Sequence, residues 1–204
     1  MKEERIRKIY SLFGDKISKD IFGNRVLYSL TEDTKYIRNI VCSIEVGNEI
    51  YHKLKESSKK KIIFGSGSVG KRLVHTYSDI LFECFVDNHH AGQFYREYPI
   101  IDIHELKEKY SGELIIIATN RYHREILDQL LEEGFQEKNI INIGKEYEKL
   151  NCLQYFDLPQ LDERQKEKEI FIDGGCFDGS TSLGFINWCK KIIGGGISTR
   201  GNLI

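Results

Sequence analysis

The stretch KIIFGSGSVG, residues 61–70, decides the fold class of this chain. Its apolar half has the length and composition of a buried strand, and its second half has the glycine spacing Gly-x-Gly-x-x-Gly. Residues 71–77 are predicted to form a helix directly after it. Strand, glycine turn and helix in this order indicate a Rossmann-like α/β domain, in which the glycines let a phosphate approach the backbone at the start of the helix.

An acidic residue follows at the distance that such a domain requires. The next apolar run, residues 82–86, ends in Asp87, which lies twenty residues beyond Gly67. A carboxylate at the end of the second strand can accept hydrogen bonds from ribose hydroxyls. We therefore predict that Gly65, Gly67, Gly70 and Asp87 hold a nucleotide-type ligand.

Strands and helices continue to alternate beyond this point. The predicted elements are a polar loop over residues 88–98, a short apolar run at 99–101, a helix over 102–110, a buried strand over 113–119, a helix over 122–133 closed by Gly134, and a strand over 140–143. Such alternation predicts right-handed crossovers and a small parallel sheet. Residues 59–145 are therefore assigned to one complete Rossmann-like domain.

The first 58 residues are predicted to form a helical arm. Apolar side chains recur every three or four residues over 6–13 and 17–26, and a third helix is expected from the start signal at 31–34 through Val41. The polar run over residues 55–60 closes the arm. We interpret this run as a solvated linker in preference to a nucleic-acid patch.

Composition limits the class of partner. In 204 residues, 30 basic and 31 acidic side chains nearly cancel, so no overall charge attracts the chain to nucleic acid or to a membrane, and a small-molecule or protein partner is expected. Nowhere do eighteen consecutive apolar residues occur. The five cysteines are widely spaced and form no Cys-x-x-Cys pair, so we predict reduced thiols, no metal site and a cytoplasmic location.

A few polar residues lie where predicted strands end. His89 and His90 follow Asp87 and could contact a phosphate or sugar, or lie in a solvated loop. Arg121 and His123 follow the next buried strand and could contact an anionic ligand, or only start a helix. The sequence assigns no catalytic residue.

Several segments of the Rossmann-like region resemble the small domains found beside bacterial sugar-modifying enzymes, including the nucleotide-sugar-binding domain of some sugar acyltransferases. These segments are residues 62–70, 85–88, 98–101 and 115–120. The resemblance implies a nucleotide, NAD or a nucleotide-sugar as the ligand. The alternative is a Rossmann-like domain that binds no ligand and only packs against its neighbours.

A second glycine-rich motif lies near the end of the sequence. Residues 168–181 read KEIFIDGGCFDGST, a short apolar strand that runs into Asp-x-Gly-x-x-x-Gly and a helix start rich in serine and threonine. Together with Tyr155-Phe156-Asp157, this motif resembles the opening of the FkbM-type methyltransferase domain. That family is similar to other S-adenosylmethionine enzymes of doubly wound fold.

The resemblance implies an S-adenosylmethionine site, with O-methylation of a glycan or secondary metabolite as the expected reaction. Gly175 and Gly179 would remove side chains where the amino-acid end of the cofactor passes the backbone, and Asp173 would place a carboxylate near its cationic portion. Asp178 and Thr181 can hydrogen-bond around the same turn.

The sequence departs from this pattern after residue 190. A second strand ending in an acid is expected about 20 residues beyond the glycine turn, but all 31 acidic residues precede Gly179, and three successive glycines occupy 194–196. We expect the reading frame or the gene to depart from the family there, with a genuine short tail as the alternative. On its own, the chain is expected to show no methyl transfer and to bind S-adenosylmethionine weakly or not at all.

The sequence thus predicts an α/β protein with three parts: the helical arm (1–58), the Rossmann-like domain (59–145), and a linker with the start of a methyltransferase domain (146–204). In the last part, Leu183 and Phe185 lie with Trp188 on a predicted helix whose apolar surface could cause self-association. The leading function is that of an FkbM-like methyltransferase, of which this chain is expected to be an inactive N-terminal portion. The alternative is a non-catalytic Rossmann-like module that binds a nucleotide, NAD or a nucleotide-sugar.

Overall fold

The computed structural model describes residues 2–153 and 179–193. The chain divides into two units, Met1–Glu146 and Tyr147–Ile204. The first unit contains the predicted helical arm and the whole of a β-sheet. The described residues of the second unit are the end of a helix that begins at Ile143 and a helix over Ser180–Ile193 with the residue before it.

Helices fill the first part of the chain, as predicted. They are α1 (Lys2–Leu12), α2 (Lys16–Thr31), α3 (Lys35–Cys42) and α4 (Glu45–Glu56). Asp15 caps α2, because its carboxylate accepts the amide of Ser18 at 2.7 Å. The expected third helix starts later than predicted, since Thr31 ends α2 and Glu32 takes a left-handed conformation with φ of 56°. A separate fourth helix, α4, was not predicted.

A six-stranded sheet forms the centre of the first unit. Its strands are β1 (Lys61–Phe64), β2 (Cys84–Val86), β3 (Phe94–Tyr95), β4 (Tyr98–Ile101), β5 (Leu114–Ile117) and β6 (Ile140–Asn142). They are ordered β3-β4-β2-β1-β5-β6. All neighbouring pairs are parallel except β3 and β4, which form an antiparallel hairpin. Of the two strands, β3 lies inside the predicted polar loop, and β4 contains the predicted apolar run at 99–101. The predicted α/β class is therefore confirmed, with an antiparallel edge strand that the sequence did not indicate.

Helices follow four of the parallel strands, and the first three of these helices lead to another strand of the sheet. They are α5 (Ser68–Thr76), α6 (Ile103–Lys109), α7 (His123–Glu132) and α8 (Ile143–Leu153). Asp102 caps α6 by accepting the amide of Glu105 at 2.8 Å, and Gly134, with φ of 88°, follows the end of α7. Ile143 was predicted as the last residue of a strand but begins α8, because the Asn142 side chain accepts the amide of Lys145 at 3.0 Å and caps the helix.

The core lies on both faces of the three central strands. Every residue of β2 and β5 is buried, and so are the last three of β1. Leu106 of α6 and Leu130 of α7 are fully buried in the cluster that covers the sheet. Such strands read as continuous apolar runs in the sequence because neither face meets water.

The helical arm belongs to the same core. Leu54 of α4 is fully buried, and the Tyr77 hydroxyl donates to the carbonyl of Gly47 at 3.0 Å. The rings of Tyr51 and Tyr77 stack with centroids 5.7 Å apart. The arm is therefore packed onto the α5 side of the sheet within the first unit.

The polar run before β1 is tied down at its end. The Lys59 ammonium donates to the carbonyl of Gly112 at 2.7 Å and to the Asn139 side chain at 2.8 Å. Lys60 forms an ion pair with Glu83 at 2.7 Å. These contacts fix the lysines that were interpreted as part of a solvated linker.

In the second unit, a helix α9 (Ser180–Ile193) begins directly after Gly179. Across residues 2–153 and 179–193, no helix combines the length and the apolar character needed to cross a membrane.

Candidate functional site

The strand order reverses between β1 and β5, the place at which an open α/β sheet has its crevice. From β1 the chain proceeds to β2 and β4 on one side, then crosses to β5 and β6 on the other. The loops after β1 and β5 therefore diverge at the carboxyl edge of the sheet. In open α/β sheets, ligands bind at such a reversal of strand order.

Two glycines shape the turn after β1. Gly65 has φ of 112°, and a Cβ atom there would lie 3.0 Å from the carbonyl oxygen of Ala118 in the loop after β5. A Cβ on Gly70, in α5, would lie only 2.2 Å from the carbonyl oxygen of Gly65. These positions need glycine so that the turn and the helix can pack closely.

Gly67 differs from both. It has φ of −72°, and a Cβ atom there would have no atom within 4 Å. It is the residue that precedes α5, so it faces open space at the helix start. The packing of the fold therefore does not require glycine at this position.

Asp87 joins the loop after β2 to the turn after β1. Its Oδ2 accepts the Ser66 hydroxyl at 2.6 Å and the Ser66 amide at 3.2 Å. Its Oδ1 accepts the His89 amide at 3.1 Å and lies 3.1 Å from Nδ1 of His90. A carboxylate has about four lone-pair positions, and four protein donors approach this one.

These donors govern the charge of Asp87. Burial opposes ionisation, but the hydrogen bonds from Ser66, His90 and His89 outweigh it and hold the pKa of the Asp87 carboxyl below its usual range. Asp87 is therefore an anion in neutral solution whose charge is already satisfied by the protein.

The loop after β5 and the start of α8 form the opposite side of the crevice. A Cβ on Gly144 would lie 2.2 Å from the carbonyl oxygen of Thr119 and 2.3 Å from the Cβ of His123. His123 is buried, and the side-chain amide of Asn142 donates to the backbone carbonyl of His123 at 3.3 Å. The neighbouring Arg121 is exposed. Gly144 therefore allows α8 to begin against this loop.

The structure brings the four predicted residues of the Rossmann-like domain to one edge of the sheet. Gly65, Gly67 and Gly70 lie in and after the turn that Asp87 holds through Ser66. Ser66 was not among the predicted site residues, although it is buried and its hydroxyl is bonded to Asp87. The available signal was a serine between two glycines, opposite an acid at the end of the next strand.

The second motif is described only at its end. Gly179 has φ of 76°, its carbonyl accepts the amide of Leu183 at 2.9 Å, and Thr181 lies in the first turn of α9. The other predicted cofactor-binding residues of this motif lie outside the described residues: Asp173, Gly175 and Asp178. A positive φ just before the helix is a conformation that glycine adopts readily.

Away from this edge of the sheet, the described residues contain an apolar pocket in the helical arm. An apolar cavity of about 280 Å³ lies between α1 and α2 and is lined by Ile6, Tyr10, Phe22 and Val26. Among residues 2–153 and 179–193, no cluster of three or more His, Cys, Asp or Glu side chains could hold a metal ion.

Comparison with known proteins identifies one related domain. A family model described as C2185-like, N-terminal matches residues 57–141, which is less than half of the chain. The match begins just before β1 and ends within β6, so it coincides with the sheet. Among curated proteins, no significant match to the sequence is found.

Proposed function

We propose that the first unit binds a nucleotide-type small molecule at the crevice between β1 and β5. The ligand classes are a nucleotide, NAD or a nucleotide-sugar. Gly65 and Gly70 shape the turn, Gly67 leaves space for a phosphate at the start of α5, and Asp87 fixes the turn through Ser66. Binding is the whole of the function proposed for this unit, and no catalytic residue is assigned.

One observation carries the proposal. Gly67 lies at the start of α5, beside the reversal of strand order, and the protein itself does not fill the space around its Cα. The first backbone amides of a helix lack partners within the helix and attract anions. An open glycine at that place is what a phosphate needs to reach the amides.

A thermal-shift panel tests the proposal. The purified chain is heated with NAD, ADP, UDP, UDP-sugars and S-adenosylmethionine, each at a concentration well above its expected Kd. A ligand at a hundred times its Kd stabilises the folded state by about 2.7 kcal/mol, which for a chain of this size raises Tm by roughly 5 to 10 °C. We expect at least one nucleotide-type ligand to produce such a shift.

Gly67→Val separates binding from folding. The new side chain enters open space, so the unliganded variant should melt within about 2 °C of the wild type, while its bulk displaces the phosphate and abolishes the ligand shift. Gly112→Val is the control, because Gly112 has equally open space but precedes β5 at the opposite edge of the sheet. A panel without any shift for the wild type would favour a domain that only packs against its neighbours.

As a second candidate, we propose that the segment from residue 168 onward belongs to an FkbM-like, S-adenosylmethionine-dependent methyltransferase. The observation in its favour is the left-handed Gly179 directly before α9, which is the turn-and-helix order that the motif predicts. In this proposal Asp173, Gly175 and Asp178 form the rest of the turn, and the reaction is O-methylation of a glycan or secondary metabolite.

Calorimetry with S-adenosylmethionine tests the second candidate. The chain on its own is expected to bind S-adenosylmethionine weakly or not at all, so micromolar binding would overturn that expectation. If such binding were lost in Gly179→Val but kept in Gly67→Val, the cofactor would lie at the second motif. Loss in Gly67→Val alone would place it in the first unit and count against the methyltransferase assignment. Coding sequence beyond residue 190, read in all three frames, should also reveal a strand ending in Asp or Glu if the family assignment is right.

The remaining proposals concern environment and partners. Balanced charge supports a small-molecule partner in preference to nucleic acid or a membrane. Cys42 and Cys84 are free thiols, which fits the proposed cytoplasmic location.

Leu183 and Ile186 expose 61% and 40% of their surface on α9, so we propose that two copies of the chain associate through this face of the helix. Sedimentation of Leu183→Glu against the wild type tests it.

A further inference from the structure

We infer that His90 occupies the position at which a ribose diol would reach Asp87, and that it thereby selects the ligands of the site. The inference rests on the proposed nucleotide-binding function and adds a specificity-determining residue to it. It follows from the contacts of the Asp87 carboxylate, which leave no acceptor position unused.

The usual role of an acid at the end of the second strand is to accept hydrogen bonds from ribose hydroxyls. Here Ser66 and His89 supply three of the four donors that approach Asp87, two of them backbone amides. The fourth is Nδ1 of His90, at 3.1 Å from Oδ1. A ribose hydroxyl can therefore bond to this carboxylate only by replacing one of the four.

His90 is the donor that can leave. The Ser66 side chain is buried, and the amides of Ser66 and His89 are fixed by the backbone. The His90 side chain is about half exposed, with 54% of its surface accessible. It can rotate into water and be solvated there without any change in the fold.

The same contacts fix the tautomer of His90. The Ser66 hydroxyl has one hydrogen, which it donates to Oδ2 of Asp87 at 2.6 Å. The ionised carboxylate only accepts, so Nδ1 of His90 carries the hydrogen in its contact with Oδ1, and it can share that hydrogen with the Ser66 hydroxyl oxygen at 3.3 Å. The imidazole is therefore held in the Nδ1–H form, with its other nitrogen left for solvent or ligand.

A binding comparison tests the inference. Wild type, His90→Ala and His89→Ala are titrated with ADP and UDP and with the dideoxy analogues that lack both ribose hydroxyls. Removal of His90 frees one acceptor position of a charged group, so His90→Ala should bind ADP or UDP about tenfold more tightly than the wild type. The dideoxy analogues should bind both proteins equally. His89→Ala is the matched control, since His89 contacts Asp87 through its amide, which the substitution retains.

The outcomes distinguish this inference from the proposed function. If the wild type binds a diol ligand and His90→Ala binds it equally or more weakly, the inference is overturned while nucleotide binding stands. If neither protein binds any of the four probes, the inference fails, while the proposed function is decided by the thermal-shift panel with NAD and UDP-sugars. Nitrogen NMR of the unliganded wild type gives a reading that needs no ligand: the Nδ1–H tautomer of His90 is expected, and the Nε2–H tautomer would overturn the inference.

Discussion

The hydroxyl of Ser66 lies 2.6 Å from Oδ2 of Asp87, and this hydrogen bond joins the turn after β1 to the loop after β2. The two residues are adjacent in space because their strands are neighbours in the parallel sheet, in register from Ile62 and Cys84 onward. The contact makes Asp87 a structural support of the glycine turn. The acid that the sequence indicates as a ligand contact therefore has a first role in the fold itself.

Replacement of Asp87 should destabilise the protein even without ligand. Asp87→Ala leaves the hydroxyl of Ser66 and two amides without their acceptor, and hydrogen bonds to a charged group contribute about 1.5 to 3 kcal/mol. We expect the free energy of unfolding, measured by urea denaturation, to fall by roughly 2 kcal/mol. Asp128→Asn, on the exposed side of α7, is the control and should change it by less than about 0.5 kcal/mol. Equal effects of the two substitutions would contradict the supporting role.

The same contacts predict an acid dependence. The pKa of Asp87 is lower in the folded protein than in the unfolded chain, so its contribution to stability is complete above the unfolded value of about 3.9 and is lost as pH falls through the folded value. The difference in unfolding free energy between wild type and Asp87→Asn should therefore shrink below about pH 4. Denaturation curves at several pH values measure it, and a difference that grows in acid would refute the assignment.

Replacement of Gly70 by alanine should lower stability, whereas the same replacement of Gly67 should not. In Gly70→Ala the new Cβ meets the carbonyl oxygen of Gly65 at 2.2 Å and the Phe85 ring at 3.1 Å, so backbone must move. We expect a loss of about 3 kcal/mol or more in stability. Gly67→Ala, which enters open space, should be nearly neutral. Similar melting temperatures for the two variants would show that the turn and α5 are not packed as described.

The sequence was sufficient to predict much of this turn. A buried strand, Gly-x-Gly-x-x-Gly and an acid about 20 residues on depend on local chemistry and on one βαβ unit, so they appear directly in the residue pattern. Gly65, Gly67, Gly70 and Asp87 meet at one edge of the sheet for that reason.

Other features could not be predicted, because they depend on tertiary contacts. The bonds from Ser66 and His90 that fill the Asp87 carboxylate require two loops to meet. Strand β3 of the antiparallel hairpin lies in a polar segment with no strand pattern. The start of α8 at Ile143 depends on the Asn142 cap, whereas the local run of isoleucines favours a strand.

The helical arm should be an energetic part of the first unit. Leu54 of α4 is fully buried in the core, so Leu54→Ala removes buried methyl groups and leaves a cavity, at a cost of about 2 to 5 kcal/mol. Leu30→Ala, in α2, is the control, since Leu30 exposes 76% of its surface and should contribute little. Urea denaturation gives both values. An unchanged midpoint for Leu54→Ala would mean that the arm does not share the core of the sheet.

The buried thiol of Cys84 should be inert in the folded protein. Cys84 lies in β2 with none of its surface exposed, and burial raises the pKa of its thiol to about 12. Since the thiolate is the reactive form, iodoacetamide at pH 8 should leave Cys84 unmodified in the native state and alkylate it after denaturation, as read from peptide masses. Cys42, on α3, is only partly buried and is the internal comparison: burial raises its pKa too, but it should react faster than Cys84. Rapid native labelling of Cys84 would show that β2 is accessible and that the central strands are not covered on both faces.

The burial of Cys84 also makes the stability of the protein depend on pH. Because the pKa of the Cys84 thiol is higher in the folded protein than the unfolded value of about 8.5, its contribution to stability is complete below that value and is lost as pH rises toward about 12.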